Sequence, residues 1–359
     1  MVIRIGILIT NSEMLKRCKD LNDSVNSLLL HMAPSYGIEL CLFSPEDVNL
    51  EKNMVNGLFI ENGKQVRRIV PIPTIVDNKT KPPHSYKQMV KFFKTLRERV
   101  YFTRNPIYFA KFGQFKRIST FLGNTEFGDM VIPTLLVEKD IDIMQLFDKL
   151  GNHIILKPEN SSRGRGIFGI ERRDNEFSVI KDDDKATMMS SSLLKSYIDG
   201  FSSSTGYIAQ KRVHSFTTSG HPFDIRILIQ RRNKDSHAYV MYPRIGGGKI
   251  LSNLATGGRT MPIHTFLEEN FGKMSAEVKS ALESIAMIFP KYYQIFLNDP
   301  FFDLGFDIGI EKRNDSFKLW LFEVNYMPQF AFNNYAQLHM EIARASLECY
   351  RYLYNSLND

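Results

Sequence analysis

Two segments near the C-terminus place oxygen-bearing side chains in an apolar setting: Gly305-Phe306-Asp307-Ile308-Gly309-Ile310 and Leu319-Trp320-Leu321-Phe322-Glu323-Val324-Asn325. A turn over 312–316 separates them, so they read as antiparallel strands. Side chains alternate across a strand, so Glu323 and Asn325 share one face, and Asp307 can lie beside them from the partner strand. Three such oxygens suit Mg²⁺, a hard cation that takes a few protein oxygens and fills its shell with water and phosphate; Mn²⁺ fits the same donors. The plainer alternative is a pair of buried carboxylates satisfied by hydrogen bonds. It leaves two acids together without a counter-ion, which costs several kcal/mol unless one is neutralised.

Three further stretches could handle anions. Lys157-Pro158-Glu159-Asn160-Ser161-Ser162-Arg163-Gly164-Arg165-Gly166-Ile167 follows an apolar strand. Its glycines would let backbone N–H groups approach phosphate oxygens, with Lys157 and Arg163 or Arg165 adding charge. An ordinary glycine-rich hairpin has the same texture, and no Gly-Lys-Ser/Thr opens a helix as in a Walker A loop. In Phe223-Asp224-Ile225-Arg226-Ile227-Leu228-Ile229, Asp224 and Arg226 lie two apart on one face. They form either a structural ion pair or an arginine held by its neighbour and aimed at phosphate or carboxylate. Tyr242-Pro243-Arg244-Ile245-Gly246-Gly247-Gly248 and then Leu251-Ser252-Asn253-Leu254-Ala255-Thr256-Gly257-Gly258 place an arginine before two glycine-rich turns. That arrangement makes either an anion-binding concavity or plain connections between strands.

These motifs need strands to hold them. Residues 3–9 are β-branched and continuous, like a strand buried on both faces. Helical spacing over 20–33, an apolar run over 38–43, a hairpin around Asn62-Gly63, a short strand over 73–76 and a basic amphipathic helix over 85–99 follow. This alternation predicts a small open α/β domain up to about residue 105. Residues 106–150 read as two helix-like stretches around Pro133-Thr134. From Ile154 onward, apolar strands at 154–156, 207–209, 225–229, 239–242, 306–310 and 319–324 alternate with Gly/Ser/Asn turns, and a helix closes the chain over 335–355.

Composition bounds the partners. The chain has 359 residues, 43% of them hydrophobic, enough for two or three subdomains. A net charge of +7 fits a solvated surface or a phosphate-bearing ligand, but no Lys/Arg block or nucleic-acid signature accompanies it. Cys18, Cys41 and Cys349 are dispersed and odd in number, which predicts no disulfide framework and a reduced, cytosolic setting. No cleavable leader is read at the N-terminus, and no apolar run reaches the ~20 residues of a membrane span.

Taken in order, the motifs over residues 105–330 resemble the ATP-grasp superfamily, nearest to its YheC/YheD-like endospore coat-associated members and then to ribosomal-S6-modification and glutathione-synthetase-like ligases. The resemblance implies a mixed α/β and α+β chain, with a pre-ATP-grasp domain at 1–105. Two α+β ATP-grasp subdomains clasping ATP would follow at 106–212 and 213–359. Lys111, with Lys116 as second candidate, and Lys157 are similar to the nucleotide-contacting lysines. Ser161, Ser162, Gly164 and Gly166 fall in the phosphate loop, and Gln210, Lys211 and Val213 in the hinge whose backbone reads adenine. The resemblance sets Arg226 and Arg244 over the γ-phosphate and acyl phosphate, completed by Asn253, Gly257 and Gly258, and gives Asp307, Glu323 and Asn325 one or two Mg²⁺. Lys211 stands where Glu is common in the family. Tyr326-Met327-Pro328-Gln329-Phe330 replaces the usual Pro-Gly, so the acceptor does not carry over.

The implied chemistry is ADP-forming carbon–nitrogen ligation: ATP activates a small-molecule or peptide carboxylate as an acyl phosphate, and an amine displaces phosphate. Competing readings are a kinase of the same fold acting on a hydroxyl, a spore-associated structural protein with vestigial nucleotide binding, and a nucleic-acid binder drawn by charge. Neither nucleic acid nor membrane is expected as a partner; a homodimer and spore-coat association stay open.

Overall fold

The computed structural model describes residues 2–10, 25–61, 63–80, 87–104, 120–138, 141–159, 166–181, 185–202, 206–248, 258–297, 301–325, 328 and 336–358. Ile3–Leu8 (β1) is the hub of the first sheet. It pairs in parallel with Ile38–Phe43 (β2) on one side and Ile75–Asn78 (β6) on the other, and β6 pairs in parallel with Tyr101–Phe102 (β7). Strand β2 continues outward to Met54–Glu61 (β4), which also pairs with Val48–Asn49 (β3) and Lys64–Pro71 (β5). Gly63 turns the β4–β5 hairpin with φ of 74°, a left-handed value that favours glycine. Helices Val25–Met32 (α1) and Lys87–Arg97 (α2) belong to this region.

A second sheet follows, in the order β12-β11-β10-β9-β13-β8. It comprises Thr134–Val137 (β8), His153–Pro158 (β9), Phe168–Arg173 (β10), Glu176–Ile180 (β11), Ala186–Ser190 (β12) and Tyr207–Lys211 (β13). Helices Ile143–Leu150 (α3) and Ser191–Ser202 (α4) cover the face that carries Ile154, Leu156, Tyr207 and Ala209. Lys157, Ile208 and Gln210 fall on the opposite face by strand alternation. The stretch after Pro133, expected to be helical, is strand β8, because Thr134–Val137 completes the ladder of β13.

The third sheet, in the order β15-β14-β16-β17, is antiparallel: Phe223–Arg231 (β14), His237–Ile245 (β15), Asp303–Arg313 (β16) and Ser316–Asn325 (β17). One face packs Ile225, Ile227, Phe306, Ile308, Leu321 and Val324 against Ile263–Phe271 (α5) and Ser275–Leu297 (α6). Phe289 of α6 meets Phe306 edge-on at 4.7 Å, a favourable aromatic geometry. The sequence pattern did not single out α5 or α6. Pro290 lies inside α6, lacks an N–H and so frees the Ala286 carbonyl one turn earlier. His237 of β15 supplies the missing donor, its Nε2 standing 2.8 Å from that oxygen.

Ala336–Asn358 (α7) ties the first sheet to the third. Its Ile342, Leu347 and Tyr350 share a core with Ile5 and Ile7 of β1, Leu29 of α1, and Leu228 and Val240. A buried polar knot anchors this junction. Arg104 pairs with Asp77 of β6 and forks onto both oxygens of Asp303 at the head of β16. Thr103 donates to Asp77 at 3.0 Å, and the Tyr350 hydroxyl donates to the other Asp77 oxygen at 2.6 Å. The Arg104 guanidinium also lies 4.6 Å from the centroid of Phe302, which stacks on Tyr350. Burial pushes the Cys41 and Cys349 thiols up to about 12, so both behave as core side chains.

Removing one partner of a buried pair leaves an uncompensated charge. Asp303→Ala is therefore expected to lower the unfolding free energy by about 3–5 kcal/mol in urea titrations. Arg232→Ala, which breaks part-exposed bridges to Glu341 and Glu348, is expected to cost about 1 kcal/mol or less.

Candidate functional site

The face of the third sheet opposite α5 and α6 carries charge. In β14 and β16 the apolar positions facing those helices are Ile225, Ile227, Phe306, Ile308 and Ile310. The alternate positions therefore point the other way, and they include Asp224, Arg226 and Asp307. Strand β17 reaches the same face by an irregularity. Asp307 pairs with Glu323, but the next residue, Ile308, pairs with Leu321, so Phe322 is an extra residue. Such a bulge shifts the alternation by one. Leu319 and Leu321 face the helices before it, Val324 faces them after it, and Glu323 and Asn325 are turned onto the Asp307 face. Without Phe322 as the extra residue, the phase set by Leu319 and Leu321 would drive both polar side chains into the core.

Glycines make room on this face. A Cβ at Gly305 would meet Pro328 at 2.8 Å and the Arg226 side chain at 3.4 Å, and a Cβ at Gly309 would collide with the Phe322 ring. The two glycines flank Asp307 at i−2 and i+2. One admits the arginine arm and the other seats the bulged ring.

Among the described residues the charges interlock. Arg226 donates through Nε and Nη2 to the two oxygens of Asp307, its cross-strand partner. Arg244 reaches from β15 across β14: it binds both oxygens of Asp224 at 2.6 and 2.7 Å and lies 2.7 Å from Asp307 Oδ2. The Asn325 amide donates to Asp307 Oδ2 at 3.2 Å, leaving its own oxygen as an acceptor. Burial alone would raise the Asp307 carboxyl, but the guanidiniums of Arg226 and Arg244 hold it below the usual range. Burial likewise pulls Arg244 down, and Asp224 with Asp307 raises it well above its ordinary value. The same-face pairing of Asp224 with Arg226 is not the one formed. Residues two apart on a strand stand about 6.6 Å apart, while cross-strand neighbours stand about 5 Å apart, so each aspartate takes an arginine from the adjacent strand.

Glu323 is half-buried and makes no ion pair among the described residues. Asp307, Glu323 and Asn325 thus bring two carboxylates and an amide oxygen to one place, a donor set that fits Mg²⁺ with the remaining positions left to water and phosphate. Among the described residues no cluster of three His, Cys, Asp or Glu side chains forms a closed metal cage.

The second sheet contributes a separate polar relay. Lys157 is buried, and its Nζ donates to Gln210 Oε1 at 2.8 Å. Gln210 Nε2 donates to Thr134 Oγ1 at 3.0 Å, and Thr134 donates to the Ile132 carbonyl at 2.9 Å. The ammonium is held in place from three strands. Gly166 follows with φ of 71°, and a Cβ there would meet the Tyr207 hydroxyl at 3.0 Å and the Pro158 ring at 3.1 Å. At the end of β13 the Lys211 and Arg212 N–H groups are already given to Pro133 and His153 carbonyls. The Val213 N–H makes no backbone hydrogen bond among the described residues. The Val213 side chain packs with Ile132, Trp320 and Phe322, and the Lys211 ammonium lies 5.7 Å from the Trp320 ring centroid. The end of the second sheet therefore meets the bulged region of β17.

Gly258 precedes Arg259, whose backbone exchanges two 2.8 Å bonds with Ile245, next to Arg244. Lys111, Ser161, Ser162, Gly164, Asn253 and Gly257 lie outside the described residues, as do Lys116, Arg163 and Arg165. Four contributors escaped the sequence reading: Thr134, the bulged Phe322, and the space given by Gly305 and Gly309. The pattern Gly-Phe-Asp-Ile-Gly, with glycines two residues either side of a buried acid, was the available signal.

A mixed first sheet is thus followed by two sheets that meet where Ile132 and Val213 pack on Trp320 and Phe322. The family model for YheC/D-like ATP-grasp proteins matches residues 101–354, and the chain belongs to that family. The endospore coat-associated protein YheD of Bacillus subtilis (strain 168) is 20% identical over 305 residues, covering 83% of this chain and 66% of that protein. The chain thus spans just under two thirds of that relative's length. Among solved structures, D-cycloserine synthetase DcsG matches with TM-score 0.52 and 13% identity, over 96% of this chain and 99% of that one. N5-carboxyaminoimidazole synthetase from Staphylococcus aureus, complexed with ADP, matches with TM-score 0.52 and 12% identity over 97% and 78%. At this identity the likeness establishes the fold. No helix among the described residues is long and apolar enough to cross a membrane.

The seat of Phe322 is directly testable. Gly309→Ala places a methyl inside the ring's position, and overpacking of this kind costs about 1–3 kcal/mol. Urea unfolding is expected to show that loss, and an unchanged midpoint would refute the packing described for the bulge.

Proposed function

We propose that the chain is an ATP- and Mg²⁺-dependent carboxylate–amine ligase that forms an amide or peptide bond with release of ADP and phosphate. The observation that carries this reading is the convergence of Asp307, Glu323 and Asn325 with Arg226 and Arg244 on one sheet face. Family membership and the fold shared with ATP-using synthetases support it.

Asp307, Glu323 and Asn325 would hold Mg²⁺, which when bound neutralises phosphate charge and polarises the transferring phosphoryl group. Lys157, fixed through its Gln210–Thr134 relay, presents a pre-oriented ammonium to the phosphates. Among the described residues, Arg226 and Arg244 are the cations nearest the predicted metal ligands. A triphosphate entering here competes with Asp307 and Asp224 for their guanidiniums, so charge is exchanged with little net desolvation. A substrate carboxylate oxygen attacks the γ-phosphorus, the bond to the β-bridging oxygen breaks, and ADP leaves. The amine nitrogen then attacks the acyl carbon, its proton passes to solvent, and phosphate leaves with the C–O bond electrons. The protein's part is positioning and charge stabilisation. By analogy with the relative named for the endospore coat, association with the spore is proposed for this chain as well.

Incubating the chain with Mg-ATP and pools of carboxylates and amines, with mass-spectrometric detection, tests the reading. ADP, free phosphate and a new amide mass are expected, with a loss of at least a hundredfold in Glu323→Ala, about 2.7 kcal/mol of transition-state stabilisation. A phosphorylated hydroxyl product, or turnover indifferent to Glu323→Ala, would contradict it.

A further inference from the structure

The far end of the third sheet carries a basic pocket that the nucleotide reading leaves unused. Arg231 closes β14 and is only 7% exposed. Three guanidiniums are this deeply buried among the described residues. Arg104 has Asp77 and Asp303, and Arg226 has Asp307. Arg231 has no carboxylate within ion-pair distance among the described residues. Its Nε donates to the Asn233 carbonyl at 2.8 Å, and its guanidinium lies 5.5 Å from the Tyr352 ring centroid. Its two terminal nitrogens make no hydrogen bond among the described residues, and neither is sealed from solvent. A buried cation with unfilled donors is costly unless an anion or water completes it.

Arg231 lines a small cavity of about 30 Å³ that is partly open to solvent. Arg231, Lys234 and Lys291 line it against a single acid, Asp235, with Ser236 and Gln294 as neutral donors. The walls are held in shape. Asn233 Oδ1 accepts from the N–H groups of Asp235 and Ser236, both at 2.9 Å, which fixes the β14–β15 turn. His237 bonds the Ala286 carbonyl freed by Pro290, which fixes the turn against α6. Arg232, beside Arg231, is tied to α7 through Glu341 and Glu348.

We propose that this pocket binds a phosphate-type dianion, either free phosphate or the monoester group of a small metabolite, with Arg231 as the central donor and Lys234 and Lys291 at the rim. A planar carboxylate would leave one rim cation unanswered, whereas a tetrahedral dianion presents oxygens to all three. Arg231 stands five residues along β14 from Arg226, roughly 17 Å at strand rise, so the site is distinct from the one that holds Arg226 and Arg244.

Calorimetric titration of the full chain with inorganic phosphate, and separately with glycerol 3-phosphate, at constant ionic strength tests this. Saturable binding is expected in wild type and in Lys157→Met, which removes a phosphate donor at the nucleotide site. Affinity should fall at least tenfold in Arg231→Met and in the surface variant Lys234→Met/Lys291→Met, which leaves the core untouched. The tighter of the two probes identifies the source, and either order supports the proposal. Absence of saturable binding in wild type overturns it. So does binding that the surface variant leaves unchanged, or binding that Lys157→Met abolishes.

Discussion

Asp307 is a carboxylate buried between two guanidiniums, and much of the C-terminal half of the molecule is arranged to keep it there. Isolated, such a charge would lose its ionised form to burial; Arg226 and Arg244 reverse that. Arg226 can reach it because Gly305 has no side chain to block the path. Arg244 can reach it because it stands on the far side of β14 and is steadied by Asp224. The apolar face behind, packed on α5 and α6, lets four charged residues share the middle of the sheet without water beneath them. Among the described residues the network is electrically balanced, and it is adjacent to Glu323, an acid with no ion pair of its own there. A balanced cluster next to an open acid is suited to exchange partners when a polyanion and its cation arrive together.

A second buried knot fixes the frame. Asp77, Arg104 and Asp303 come from the first sheet, the segment after it and the head of β16. Tyr350 brings α7 to the same point. Because Asp303 begins the strand that carries Asp307, the position of the candidate site is coupled through one strand to the first sheet. The link is rigid: β16 is buried from Asp303 to Ile310.

Much of this was legible in the residues, and the failures have physical causes. Continuous apolar runs located β1, β9, β13, β14, β16 and β17, because a strand covered on both faces has no other pattern. Asp307, Glu323 and Asn325 stood out as polar exceptions within such runs. Their common face was inferred from alternation within Glu323-Val324-Asn325, and the structure puts them together on the Asp307 face. The bulge at Phe322 that makes this compatible with Leu319 and Leu321 facing the core was not legible, because a bulge depends on the partner strand. The partner of Arg226 is not legible for the same reason: register is a tertiary fact, and Asp224 is merely the nearest acid in sequence. The four residues Thr134–Val137 carry too little period to distinguish strand from helix, and pairing with β13 decides it. Helix α6 is hard to read from sequence because Pro290 and the exposed Met287 and Ile288 blur its apolar stripe.

The most direct test is the resting occupancy of Asp307. Protein-bound Mn²⁺ can be followed by electron paramagnetic resonance with and without a non-hydrolysable ATP analogue, using Glu323→Ala as control. With Asp307 held by two guanidiniums, the free protein should bind Mn²⁺ weakly. The analogue should bring about one tightly bound ion per chain, lost in Glu323→Ala. Tight Mn²⁺ binding by the free protein, or none even with the analogue, would contradict the role assigned to this network.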